Sequence, residues 1–241
     1  MTWPQDFATN FTFLLRWLHF LAGITWIGLL YFFNLVNVNF MKELDATTRG
    51  KVVPNLMPKA LFWFRWGAVV TWLSGFTYYT VIVGTEPVGH KALGVFLLAW
   101  LATFLVVAWL LRLSVAGGPL KDGRVLGVVV AILVFLVAYG VVNWNRQAGA
   151  SHRSMSIAVG GGIGTIMLMN VWMIIWPLQK KIIAATRATA ESGAAAPADQ
   201  PKWARRAFLA SRMNTWLSVP MLFFMGAASH FPLFGTLVIG T

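Results

Sequence analysis

Four histidines and no cysteine bound the chemistry open to this chain. His19 lies in RWLHFLAGITWIG, residues 16–28, a stretch otherwise apolar enough to cross a membrane, and Arg16 stands three residues before it. His230 ends a second apolar stretch, SRMNTWLSVPMLFFMGAASH. His90 and His152 stand just before two others. An ionisable side chain at membrane depth is costly and usually functional, which singles out His19 and His230. Without cysteine there are no disulfides, thiolate metal sites, Cys-ligated iron–sulfur clusters or covalently attached c-type haem. Imidazole chemistry remains. Two imidazoles from different helices, an apolar slot and cations at its watery rim suit a bis-histidine b-type haem. Copper is the alternative, since neutral imidazoles and Met thioethers such as Met155 and Met225 suit Cu(I). Zinc fits less well where no carboxylate or thiolate is near.

The spacing supports a slot. His19, Gly23, Trp26 and Leu30 follow i, i+4, i+7, i+11, one stripe of a helix. Val219, Phe223, Gly226 and His230 make a matching stripe, so each histidine has a glycine one turn deeper. Glycine leaves room for a flat ligand or a close helix, and the Gly160/Gly164 pair admits both readings. The expected cofactor residues are His19 and His230 as ligands, His90 and His152 as a second pair or alternates, and Arg16 for a propionate, with Arg153 as another candidate. Gly23 makes room.

The elements that must carry these residues are membrane helices. Hydrophobic residues make up 58% of the 241 and charged residues 11%, about half the charged share of a soluble domain. The apolar runs are long enough to span a bilayer, where every backbone group must be satisfied internally, so an all-α polytopic helix bundle is expected. Six spans are read, at roughly 11–39, 60–84, 91–114, 124–144, 154–178 and 207–236. The last is the most polar at its start and is interrupted by Pro220. The N-terminus lacks the basic region of a cleaved signal peptide, so the first span is expected to stay.

Lys and Arg set the orientation. Lys42, Arg49, Lys51, Lys59, Arg112, Lys121, Arg124, Lys180, Lys181, Arg187, Lys202, Arg205 and Arg206 follow odd-numbered spans, against Lys91, Arg146 and Arg153 on the other side. The positive-inside rule makes the first set cytoplasmic and both termini periplasmic, in a bacterial inner membrane. All four histidines then fall on the periplasmic side. The net charge of +12 reports this orientation and the anionic lipid of the cytoplasmic leaflet, not nucleic acid. The stretch 185–201, rich in Ala, Gly, Pro and polar residues, is expected to be a mobile cytoplasmic linker within one membrane domain, 1–241.

A second polar set lies toward the cytoplasm: Asn34, Arg65, Asn170, Arg212 and Asn214, with Asn37 and Ser211 nearby. The two arginines have no intramembrane carboxylate. They either snorkel to lipid phosphates or, with the asparagines, form an anion or lipid site.

Four blocks carry a family resemblance: RWLHFLAGITWIGLLYFFN, PKALFWFRWGAVVTWLSG, GTIMLMNVWMIIWPLQKKI and SRMNTWLSVPMLFFMGAASH. Together they resemble the membrane domain of the bacterial membrane-bound urate oxidases. The first block more loosely resembles HemJ-type protoporphyrinogen oxidases and CopD-type copper proteins. The main resemblance implies an integral membrane oxidoreductase that oxidises urate and passes electrons to a fused cytochrome c domain. This sequence ends at Thr241 without C-x-x-C-H and with fewer spans, so a short form using a separate cytochrome c is expected. The function expected is an electron-transfer module binding haem b, in urate-type substrate oxidation. The alternative is a copper- or haem-handling protein, or an accessory subunit of a respiratory complex, with no activity of its own.

Overall fold

A computed structural model describes residues 6–234. Among these the chain is helical throughout, without a strand. The first helix, α1, runs Phe7–Glu43. It is followed by α2, Ala46–Val83, and α3, Lys91–Ala116. A single 3-10 turn at Pro119–Lys121 leads into α4, Gly123–Gln147. The fifth helix, α5, runs His152–Ser192, and α6 runs Gln200–His230. Helices α1 to α5 are long and apolar enough to cross a membrane. Helix α6 is long but carries Lys202, Arg205, Arg206, Arg212 and Asn214, which makes it more polar.

The helices begin where the acids are. Asp6, Asp45 and Asp122 cap α1, α2 and α4 by accepting from the backbone N–H of Thr9, Thr48 and Arg124 at 2.8, 3.0 and 2.8 Å. A side-chain oxygen there satisfies one of the N–H groups that a helix start leaves without an internal partner. Ser151 caps α5 in the same way, through Ser154 N at 3.2 Å.

Several boundaries differ from the sequence reading. Helix α2 starts well before residue 60 and runs through Pro54 and Pro58. The Pro54 carbonyl finds a donor outside its helix, Arg187 Nη2 at 3.3 Å. Helix α5 continues to Ser192, so the expected linker at 185–201 is irregular only over 193–199. Ala is the strongest helix former, and ATRATA extends the helix until Gly193 ends it in the left-handed conformation. The sixth helix ends at His230, and residues 235–236 of the expected span lie outside those described.

Two helices are locally widened. Residues Phe32–Asn37 of α1 and Val171–Ile175 of α5 form π-helical turns. Each stands beside an asparagine that is buried, Asn34 and Asn170. Single π turns inside α-helices occur frequently at functional sites.

Helices α1 and α2 pack antiparallel, and so do α5 and α6. Gly67 lies against Ala22 and Trp26 of α1, and Gly160 lies against Met221, Phe224 and Met225 of α6. Helix α5 is the centre of the bundle, with residues 154–160 buried without interruption. Gly162 receives the indole of Trp100, whose Nε1 donates to Ala158 O at 3.0 Å. By contrast α4 leaves Val128, Ile132, Phe135, Leu136 and Tyr139 exposed.

Candidate functional site

Histidine needs a partner when it leaves water, and His19 finds one on α2. Its Nδ1 lies 2.8 Å from the Thr71 carbonyl oxygen. A carbonyl can only accept, so Nδ1 carries the hydrogen, and the Nε2 of the neutral ring keeps its lone pair. The ring packs against Gly75, where an added Cβ would come within 2.8 Å of Cε1 and 2.9 Å of Nδ1. Only glycine admits the ring there. His230 is exposed, and its Nδ1 lies 3.0 Å from Gly226 O one turn back on its own helix. In metal-binding histidines the second ring nitrogen characteristically donates to a carbonyl or carboxylate, which fixes the ring and its tautomer.

Both histidines line one cavity of about 520 Å³ among α1, α2, α5 and α6, with Phe96 of α3 on its wall. Arg16 and Gly23 line it too. That volume lies within the range of about 300–1,000 Å³ usual for cofactor and small-molecule sites. Seven glycines contribute to its wall: Gly23, Gly28, Gly75, Gly160, Gly161, Gly164 and Gly226. At Gly28, Gly164 and Gly226 a Cβ would meet nothing within 4 Å, so bare backbone faces open space. Gly75 and Tyr79 were not legible in the sequence, and Trp26 was legible as a residue of the His19 stripe. Gly75 sets the His19 ring. The indole Nε1 of Trp26 and the hydroxyl of Tyr79 belong to buried cavity-lining residues and have no partner among the described residues.

The other two histidines are elsewhere. His90 is exposed and its ring lies 3.1 Å from a Cβ built on Gly84. His152 opens α5, with its buried Nδ1 unpartnered among the described residues. Neither lines the cavity, nor does Arg153, which is exposed. Glu86 lies beside this region in the connection between α2 and α3. Its carboxylate accepts from Ser151 N at 3.1 Å, Ser151 Oγ at 2.6 Å and Ser154 Oγ at 2.8 Å. The negative group thus locks that connection to the start of α5, where the helix dipole favours it.

The cytoplasm-facing set of the sequence reading divides into three. Asn34, Asn170 and Asn214 gather around α6. Asn34 Nδ2 donates to Ser211 Oγ at 2.8 Å and to Leu30 O at 3.0 Å. Asn170 Nδ2 donates to Asn214 Oδ1 at 2.8 Å, and Asn214 Nδ2 to Met167 O at 2.9 Å. Tyr31 Oη and Ser218 Oγ, 2.9 Å apart, continue this polar seam toward the cavity. Arg65 stands apart, its guanidinium 3.8 Å from the Trp176 ring centre, with Trp172 and Phe62 farther off at 5.8 and 5.7 Å. Trp172 Nε1 also donates to Arg65 O at 3.3 Å. Arg212 lies 5.4 Å from the Phe208 ring centre, on the wall of a different opening between α4 and α6.

Fold and site define a multi-pass membrane helix bundle with a glycine-walled cavity of cofactor size. The chain belongs to the family described as Urate oxidase N-terminal, which it matches over residues 44–237. His90, His152, His230 and the Arg/Asn set other than Asn34 lie in the matched stretch; Arg16, His19, Gly23 and Asn34 precede it. No curated protein and no solved structure matches the chain.

Proposed function

We propose that this protein is a membrane redox module that binds b-type haem in the glycine-walled cavity and passes electrons to a separate cytochrome c. The observation that carries the reading is the pair His19 and His230. Each donates its Nδ1–H to a backbone carbonyl, and both line the same cavity. The residues present fit the group. Nε2 of each ring is free to bind iron, Arg16 supplies a cation for a propionate, and bare backbone at Gly28, Gly164 and Gly226 leaves room for a plane. When bound, the haem supplies a one-electron couple. The chain itself holds the ligand rings, excludes water with Trp72, Phe76 and Phe96, and balances propionate charge.

The excess of Lys and Arg after odd-numbered spans supports a bacterial inner-membrane orientation with both termini and the cavity on the periplasmic side. A periplasmic cytochrome c or a respiratory complex is then the partner within reach. Family membership supports urate or a related small reductant as the electron source. The optical spectrum of the purified protein tests the reading: a Soret band that shifts on reduction is expected, and its absence in both states overturns it. Met221 and Met225 on the cavity wall favour copper as the second reading, which metal analysis of the same sample separates from iron.

A further inference from the structure

A second opening is larger than the cavity. Between α4 and α6 runs a groove of about 880 Å³, walled by aliphatic and aromatic side chains along most of its length. Val128, Phe135, Tyr139 and Trp216 stand 60, 67, 63 and 71% exposed along it. Its polar residues are at one end: Asp122, Arg124 and Arg212. The Asp122 carboxylate caps α4 through Arg124 N and offsets one of the two guanidiniums, which leaves the mouth net positive. More cations surround them. Arg205 donates to the Lys121 carbonyl and ties α6 to the turn before α4. Partial burial, and then repulsion from Arg112, disfavour the charge on Arg206, whose buried Nε has no partner among the described residues. Like charges are crowded here, with Asp122 as the carboxylate among the lining residues.

We propose that this groove is a binding site for one anionic diacyl phospholipid, its phosphate between Arg124 and Arg212 and its acyl chains along α4 and α6. Charge selects this occupant. A second copy seated on the same face of the same membrane, related by a two-fold axis along the membrane normal, would bring the basic end of one groove to the depth of the other's basic end. A neutral lipid-soluble molecule would fill the apolar length but leave the net positive charge of the mouth unanswered. A phosphodiester with two chains satisfies both ends, and arginine's planar fork suits phosphate. This lipid is independent of the cavity beyond α5 and of what that cavity binds.

The test compares retained lipid after purification of the full chain from membranes and exchange into vesicles of phosphatidylglycerol or phosphatidylcholine. About one phosphatidylglycerol per chain should survive size-exclusion chromatography, with little phosphatidylcholine. Arg212→Gln should lower phosphatidylglycerol affinity about fivefold, and the double variant Arg124→Gln/Arg212→Gln by about twenty-fivefold, at the strength expected per surface cation. Gly127→Trp tests the apolar length separately. A Cβ on Gly127 meets nothing within 4 Å and Gly127 lines the groove, so the indole should displace acyl chain without disturbing packing. Equal retention of the two lipids, unchanged affinity in both the arginine and the glycine variants, or a dimer that Gly127→Trp dissociates would each overturn the proposal. Lys91→Gln, at the far end of the bundle, serves as the unchanged control.

Discussion

The cavity among α1, α2, α5 and α6 and the groove between α4 and α6 are both openings in a membrane bundle, and the larger is the less directional. The groove has about 880 Å³ against 520 Å³ in the cavity, yet its long walls are Val, Leu, Phe and Ala with charge only at the mouth. The cavity has imidazoles oriented by backbone carbonyls, seven glycines and two donors without partners among the described residues. Volume alone does not rank them. In surroundings where an unpaired polar group is expensive, the atoms that keep an unused hydrogen-bonding or ligating capacity indicate where a directional partner is expected. A surface with charge at one end and hydrocarbon along the rest matches the shape of lipid itself.

Substitutions can break that contrast. The largest effect is expected from His19→Ala, which should abolish the haem absorbance or convert it to a high-spin form, whereas Arg212→Gln should leave the spectrum untouched; equal spectra for His19→Ala and the parent would refute the ligand assignment. Gly75→Val comes next. The added atoms enter the space of the His19 ring, and overpacking of this kind costs about 1–3 kcal/mol. It should shift the absorbance and lower the unfolding midpoint together, and an unaltered spectrum would show that the ring position is not what the cofactor needs. Asn214→Ala removes a buried amide that serves both Asn170 and Met167. It should cost about 1–3 kcal/mol through the unmet partners, with no spectral change. A thermal melt of the detergent-solubilised protein reads this, and a spectral shift would mean that the asparagine seam and the cavity act as one site. The smallest effect is expected for Trp176→Leu, which removes the ring under Arg65. A cation–π contact is worth about 0.5–2 kcal/mol, so the melt should fall slightly and lipid retention should not change.

The bundle itself was legible in the sequence because hydrophobic length and backbone self-satisfaction leave few alternatives to helices. The His19/Gly23/Trp26 and Gly226/His230 stripes were legible for the same reason, since helical periodicity fixes which residues share a face. What periodicity did not reveal is which neighbour each face meets. Gly75 was invisible as a histidine cradle because its role depends on the separation of α1 and α2, not on its own helix. Arg65 and Arg212 were grouped with the asparagines by depth alone, and depth does not record azimuth: one faces Trp176 and the other opens onto the groove. His90 and His152 share an end of the bundle with His19 without sharing its cavity. The helical tail of α5 is hidden from composition because an alanine-rich stretch suits both a linker and a helix, and only helix propensity separates the two.

The widened turns at 32–37 and 171–175 have an evolutionary consequence. An α-helix advances about 100° per residue, so one residue gained or lost within such a turn re-aims everything beyond it as a block. In α1 and α5 those turns lie between the half that lines the cavity and the half that leads to the basic loops. Each half can therefore be re-specified separately. The histidine end can keep its lining while the opposite end drifts to suit a new membrane or a new partner.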